Sequence, residues 1–399
     1  MMQTNDRTVA SELARYLGAA VLIRAVNDGA TVGLALLALT IRPGVAGALV
    51  AALVAPHLLG PWLIRLLSWT DPRCVLAGAF ILYGVAIGAA AVIMDDAPAV
   101  VTVLLVALAG CGGPMLAGGL TSRLPAGETA RARAFDSATW GVATSTGPGL
   151  AAIISLLIGS VAAVLVMAAG AVVAAGVVLT LPAQPAALED AVGVRAGFRY
   201  AARTRPLRTT LLSVGLAGVG LGAIPVATPL MSVELGKPLG NGGLLVATYG
   251  LTSLIGSLTV AARPLTGPPG RVAAYCLAVM SVAVGVAATA PSYGLALAGF
   301  AGLGLANGVL ITAILALCRL HAPPGGHAQV LVLTTSVKIA GAALAGIWSG
   351  LATAGGGRVV LAGTALLLLA AGTTAALGRP FAHQAPAGEV PFQRAGERP

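Results

Sequence analysis

Twelve apolar runs of helical length divide the chain. They lie near residues 13–40, 44–67, 74–94, 99–121, 136–158 and 160–181, and, after a polar interval, near 207–233, 242–262, 271–290, 294–318, 330–352 and 359–377. A bilayer crossing takes roughly 20 apolar residues at about 1.5 Å of rise each. Inside hydrocarbon the backbone must satisfy its own polar groups, which leaves helices or closed barrels. The runs show no alternation by two, so they read as helices. Only 9% of residues are charged and the mean hydropathy is +0.94, whereas soluble chains carry roughly a quarter charged residues. The fold class that follows is an all-α membrane protein with twelve transmembrane helices in two bundles of six. The expected division is an N-terminal half at 1–181, a cytoplasmic linker at 182–206, a C-terminal half at 207–378 and a polar, proline-rich tail at 379–399, expected to be disordered.

The net charge of +10 does not point to nucleic acid, because the basic residues sit in short gaps between apolar runs rather than on a clustered polar surface. When the gaps are assigned alternately to two sides, most Lys and Arg fall with the two termini, and the other side holds Arg42, Lys237 and Arg358. Positive charge accumulates on the cytoplasmic side, so both termini are expected inside, in a multi-pass protein of the plasma (inner) membrane whose first helix is retained. The linker arginines Arg195, Arg199, Arg203, Arg205 and Arg208 around Phe198 and Tyr200 fit an amphipathic segment at the headgroups and a solvated linker equally well. Cys74, Cys111, Cys276 and Cys318 stand singly, without a disulfide framework or metal-ligand spacing, and no metal site is expected.

The two sets of six runs repeat. Arg65 and Arg73 flank the gap after the second run, and Arg263 and Arg271 flank the gap after the eighth at an offset of 198 positions. Arg123 and Arg319 close the fourth and tenth runs at an offset of 196. Parallel repeats of this kind place a solute site between the halves near the midplane.

Six plus six helices, a long linker and the stretch GPWLIRLLSWTDPR after the second helix resemble the major facilitator superfamily. In that family the loop carries a glycine, an acid and spaced arginines that form a cytoplasmic gate. The resemblance implies this role for Gly60, Arg65, Asp71 and Arg73, with Ile64 standing where the pattern most often has Asp. The fifth helix, DSATWGVATSTGPGLAA, is similar to the Gly-Pro motif of the family's exporters at Gly147 and Pro148. The fourth helix has no counterpart of the arginine that many drug exporters carry. Composition and loop phrasing resemble the small-molecule exporters of actinobacteria. The resemblance also implies a cavity lined by the first, fourth, seventh and tenth helices.

Ionisable groups inside a span cost several kcal/mol unless paired or hydrated, which makes the few present here candidates for function. Arg24 and Asp28 stand one turn apart in the first span with Asn27 beside them, placed to pair with each other. Lys338 stands about 12 Å into the eleventh span at helical rise. These four residues are the candidate solute and proton site, joined by Asn307 of the tenth. Gly112, Gly113 and Pro114 in the fourth span and Gly304 and Gly308 in the tenth mark expected helix breaks in corresponding places, a pointer to a binding site; tight packing of small residues is the alternative. Pro225 and Pro229 suggest a kink in the seventh. His57, which could titrate near neutral pH, reads as a packing or interface residue, and Asp136 as the cap of the fifth helix or the partner of a loop arginine.

The function expected is alternating-access secondary transport of a small organic solute, as proton-coupled efflux, with the proton as coupling ion and no bound cofactor. Uptake or facilitated exchange is the alternative, and a non-transporting membrane scaffold the next. An enzyme is not expected, because no span brings together ligands, paired carboxylates or a nucleophile with its base, and no Walker A pattern offers ATP a site. The partners expected are the solute and the bilayer, without nucleic acid, around a monomer.

Overall fold

The computed structural model describes residues 2–63, 71–123, 130–182, 194–263, 267–322 and 327–378. These residues form twelve spans and one linker helix, with no strand among them. The first span is Met2–Ile41. The second is built of Ala46–Val54, a 3-10 turn at Ala55–Leu59 and Gly60–Leu63. The third is Pro72–Ile93, the fourth Ala99–Gly110 continued after a turn by a π segment at Met115–Gly119, the fifth Ala130–Leu157 and the sixth Ser160–Leu179. Beyond the linker helix Val194–Arg203, the seventh runs as Arg205–Leu221 and Ile224–Glu234. The eighth is Asn241–Ala262, the ninth Pro269–Thr289, the tenth Tyr293–His321, the eleventh His327–Ala352 and the twelfth Gly356–Leu377.

Local sequence explains the boundaries. Asp71 caps the third span by accepting a hydrogen bond from the Arg73 amide at 2.9 Å, with Pro72 in the first turn, where its missing N–H costs nothing. The seventh span breaks at Gly222 and Ala223 just before Pro225, and Pro229 lies inside its second segment, which places the kink where the prolines suggest. The tenth, however, is one uninterrupted helix from Tyr293 to His321, so Gly304 and Gly308 do not break it. They are packing residues instead. A Cβ on Gly304 would strike Thr252 and the Tyr249 carbonyl, and one on Gly308 would strike the Ser253 carbonyl, so small residues here let the tenth helix lie directly on the eighth.

Each half has its own core. One is built on Tyr16, Phe80, Tyr83 and Leu49, the other on Phe300, Met280, Leu303 and Leu361. Pseudo-equivalent crossings organise them. The first and fifth spans cross where a Cβ on Gly147 would strike the Ala25 carbonyl, and the seventh and eleventh where a Cβ on Gly341 would strike the Gly215 carbonyl. Arg15 donates to the Thr180 carbonyl at 3.1 Å, and Arg205 to the Leu377 carbonyl at 3.1 Å. Each half therefore ties its first helix to the end of its last on one face of the bundle, the terminal face.

The halves mate mainly away from that face. Gly47 at the start of the second span meets Gly346 and Gly350 near the end of the eleventh without room for a Cβ. The fifth and eighth spans run antiparallel, with Gly240 and Gly243 against Leu156 and Ala152, and Gly250 against Thr144. Val32 and Leu36 of the first span belong to the C-half core, and Val226 of the seventh to the N-half core. All these contacts lie at mid-helix or beyond it, toward the remote face.

Candidate functional site

Five polar side chains stand near the middles of five different helices: Asp28 in the first span, Tyr83 in the third, Thr144 in the fifth, Tyr249 in the eighth and Lys338 in the eleventh. The eleventh helix begins at His327, so Lys338 lies about 16 Å along it. Residues at mid-helix in a twelve-helix bundle share one level of the bilayer. Asp28 is their hub. Its carboxylate accepts from the Thr144 hydroxyl at 2.9 Å and from the Asn27 amide at 3.3 Å, and Asn27 in turn accepts from the Tyr83 hydroxyl at 3.3 Å. Lys338, Tyr83 and Tyr249 all lie within electrostatic reach of Asp28.

Asp28 and Asn27 are half-buried and Lys338 is exposed despite its central position. Neither charge is packed into the core of its half, and between them lies the region where the halves meet, closed by glycine contacts mainly toward the remote face. A carboxylate from the N half and an ammonium from the C half border it, surrounded by phenol, hydroxyl and amide groups. Such a set can bind a polar solute by paired charge and hydrogen bonds.

The expected pairing of Arg24 with Asp28 is not what forms. Arg24 is 1% exposed and turns to the fifth span, where it donates to the Asp136 carboxylate at 2.8 Å and to the Thr139 hydroxyl. It also donates to Thr121 at 2.9 Å, and its guanidinium lies 4.3 Å over the Trp140 ring. Tyr16 donates to the same Asp136 carboxylate at 2.7 Å. A helix carries i and i+4 on one face but does not oblige them to pair, and here the partner on the next helix wins with two charge-assisted bonds. The reading of Asp136 as a cap fails for a related reason: the fifth helix starts at Ala130, which puts Asp136 inside it. Arg24 thus belongs to a structural cluster of the N half, and the charges left at mid-helix where the halves meet are Asp28 and Lys338. The signal for this cluster was present in the stripe Asp136, Thr139, Trp140 and Thr144, which recurs at helical spacing.

Asn307 is 5% exposed and donates to the Ser253 hydroxyl at 2.9 Å, so it ties the tenth span to the eighth. Gly112, Gly113 and Pro114 do sit at an interruption, between the helix ending at Gly110 and the π segment. It lies against the second span: the His57 ring covers Gly113, and Gly60 approaches Pro114. His57 is thereby a packing residue over the break. Of the gating-loop residues, Arg65 lies outside the described residues. Asp71 and Arg73 form an ion pair at 2.6 Å, and Arg73 also donates to the Leu181 carbonyl at 3.1 Å. The guanidinium and amide of Arg73 hold the Asp71 carboxyl below the usual carboxylate range, at about 2. Among the described residues no group of His, Cys, Asp and Glu is placed to hold a metal ion.

No protein-family model and no curated protein sequence matches the chain. Solved structures do. The nucleoside transporter NupG is similar at 15% identity, with a TM-score of 0.69 over 92% of this chain and 97% of that one. A bacterial homologue of the human lysosomal transporter Spinster, inward-facing and unoccupied, is similar at 14% identity and 0.69 over 92% and 95%. A bacterial homologue of the iron transporter ferroportin, in an inward-facing state, is similar at 14% and 0.69 over 92% and 98%. At such identity the likeness is one of fold, and it extends over nearly the full length of each.

Proposed function

We propose that this chain is a secondary transporter that moves a small organic solute by alternating access, as an exporter coupled to the proton gradient. The observation that carries the reading is the placement of Asp28 and Lys338. The two halves contribute one charge each, at mid-helix where they meet, with close glycine contacts toward the remote side, and in this reading the space between the charges opens toward the terminal face. Intramembrane charges that neither pair at contact distance nor face a packed core mark solute and ion pathways. The solved structures of similar fold are transporters by name, which supports the same class. Both termini on the cytoplasmic side, as the distribution of arginine suggests, make this the inward-facing state of a plasma-membrane protein.

In this reading Asp28 is the proton acceptor. Its direct partners, Thr144 and Asn27, are neutral, so protonation leaves no buried cation without a contact partner. With Asp28 charged and Lys338 across from it, the pair suits a zwitterionic or strongly dipolar solute whose cationic or hydrogen-donating end pairs with Asp28; once Asp28 is neutral that pairing is gone and Lys338 repels the same end. Solute and proton then compete through the charge of one site, which is the differential affinity that coupling requires. Gly147 and Pro148 serve this arrangement, since the fifth helix reaches the Asp28 turn only because Gly147 packs on Ala25 and Gly29.

The test is a compound-panel accumulation assay in cells expressing the protein or its Asp28→Asn and Lys338→Ala variants, with and without a protonophore. The expected result is a compound kept at lower level by the wild-type chain only while the gradient stands. Asp28→Asn should remove the pH dependence and Lys338→Ala should weaken solute selectivity. Unchanged rate and pH dependence in both variants would overturn the reading.

A further inference from the structure

The arginines of the internal repeat behave differently in the two halves. In the N half Arg15, Arg73 and Arg123 converge on the end of the sixth helix, donating to the carbonyls of Thr180, Leu181 and Pro182. The loose carbonyls of a helix end attract cations, and the three guanidinium groups close the terminal end of the N bundle. In the C half the corresponding arginines are Arg205, Arg271 and Arg319. Only Arg205 reaches the end of its last helix, at the Leu377 carbonyl. Arg271 and Arg319 are exposed and make no hydrogen bond or ion pair among the described residues.

Where the N-half arginines are tied to helix-end carbonyls, the C half holds a groove of about 800 Å³ between the seventh, ninth, tenth and twelfth spans. It runs from Arg205 to Ala217 along the seventh helix, roughly 18 Å from the terminal face toward the midplane at helical rise. Its inner wall is apolar, with Val214, Leu277, Leu310 and Ile314, and its mouth carries Arg205, Arg271 and His321. Tyr275 and Leu320 on its rim are 65% and 67% exposed, so it opens sideways to the surroundings as well as upward. A long apolar slot with cations only at the level of the membrane surface has the polarity of a phospholipid.

We propose that this groove is a binding site for an anionic phospholipid. An acyl chain fills the slot between the tenth and twelfth helices, and Arg271, with Arg205 beside it at the mouth, holds the headgroup phosphate. The occupant gives the C-half arginines the hydrogen-bond acceptors that the carbonyls at the end of the sixth helix give those of the N half. The site lies away from the Asp28 and Lys338 pair and stands whether or not that pair transports a proton.

Native mass spectrometry of the full chain in neutral detergent tests it, with phosphatidylglycerol and phosphatidylcholine of identical acyl chains offered separately. A juxtamembrane arginine contributes about 1 kcal/mol toward anionic lipid, so the two together should give roughly a thirtyfold preference for phosphatidylglycerol. Arg205→Gln with Arg271→Gln should abolish the preference. Arg263→Gln, the same charge change at an exposed position of the same face outside the groove, should leave it intact. Equal retention of both lipids by the wild-type chain would overturn the proposal, as would equal loss in Arg263→Gln or full thermal stabilisation by inorganic phosphate alone. Retention that appears only after truncation beyond Gly378 would also overturn it, by assigning the groove to residues 379–399.

Discussion

Two corners of the molecule that the repeat makes equivalent are built from opposite chemistry. Where the first, fourth and fifth spans meet near the terminal face, Tyr16, Arg24, Thr121 and Asp136 form a buried polar cluster. Where the seventh, tenth and eleventh meet, the corner is Leu207, Cys318 and Val330, covered by Ala201 of the linker helix. The backbone crossings beneath are alike, since both rest on glycine against carbonyl. A duplicated bundle thus specifies where helices cross, and leaves open what holds the crossing. A buried ion pair offers directionality at a desolvation cost, and an apolar contact offers neither. The polar solution stands one turn from Asp28 on the first span, where it fixes the rotation of the helix that carries the cavity carboxylate.

The sharpest way to break this comparison is to unpair the N-half corner. Arg24→Met leaves Asp136 as a buried, uncompensated carboxylate, and such losses run to about 3–5 kcal/mol. Thermal unfolding of the purified protein should show a fall of that size, larger than for any single change in the C-half corner. The double variant Arg24→Met with Asp136→Leu should regain most of it, because the C half demonstrates that an apolar corner supports the same crossing. A double variant as unstable as the single would mean that the two corners are not interchangeable.

The shared part of the comparison is smaller in energy and should be symmetric. Gly147→Ala and Gly341→Ala each force a methyl group against a carbonyl of the neighbouring helix, and overpacking of this kind costs about 1–3 kcal/mol. Similar losses of stability in the two variants are expected, with a larger loss of transport for Gly147→Ala because its contact holds the Asp28 turn. A neutral Gly341→Ala beside a costly Gly147→Ala would show that the crossings are not equivalent.

Most of the architecture was legible in the sequence because lipid punishes ambiguity: a run of apolar residues bounded by arginine and proline has one solution. Asp28 and Lys338 were legible for the same reason, as rare charges within apolar runs. The partner of Arg24 was not, since it lies 112 residues away and the polar start of the fifth helix hid where that helix begins. Nor could glycine spacing distinguish a broken helix from a close crossing. In the fourth span the glycines accompany a break and in the tenth a contact with Thr252 and Ser253, and only the neighbouring helix decides. Tyr83 and Tyr249 carried no signal at all, because an aromatic residue in an apolar run is unremarkable until a carboxylate faces it.

The smallest expected effect separates the loops that the repeat places after the second and eighth spans. In the first, Asp71 caps the third helix and pairs with Arg73; in the second, Pro268 stands at the cap position of the ninth helix and Arg271 pairs with no acid among the described residues. Because the Asp71 carboxyl is held down to about 2, its stabilisation is complete above the ordinary carboxylate value of about 4. It is lost only as the pH falls through about 2. The melting temperature of the wild-type chain should therefore exceed that of Asp71→Asn by a constant margin from pH 7 down to about 4, and the margin should shrink below that. Arg271→Gln should show no such margin at any pH. A margin that already declines between pH 7 and 5 would mean that Asp71 itself titrates toward neutral pH, and the proposed proton dependence of transport could then no longer be assigned to Asp28 alone.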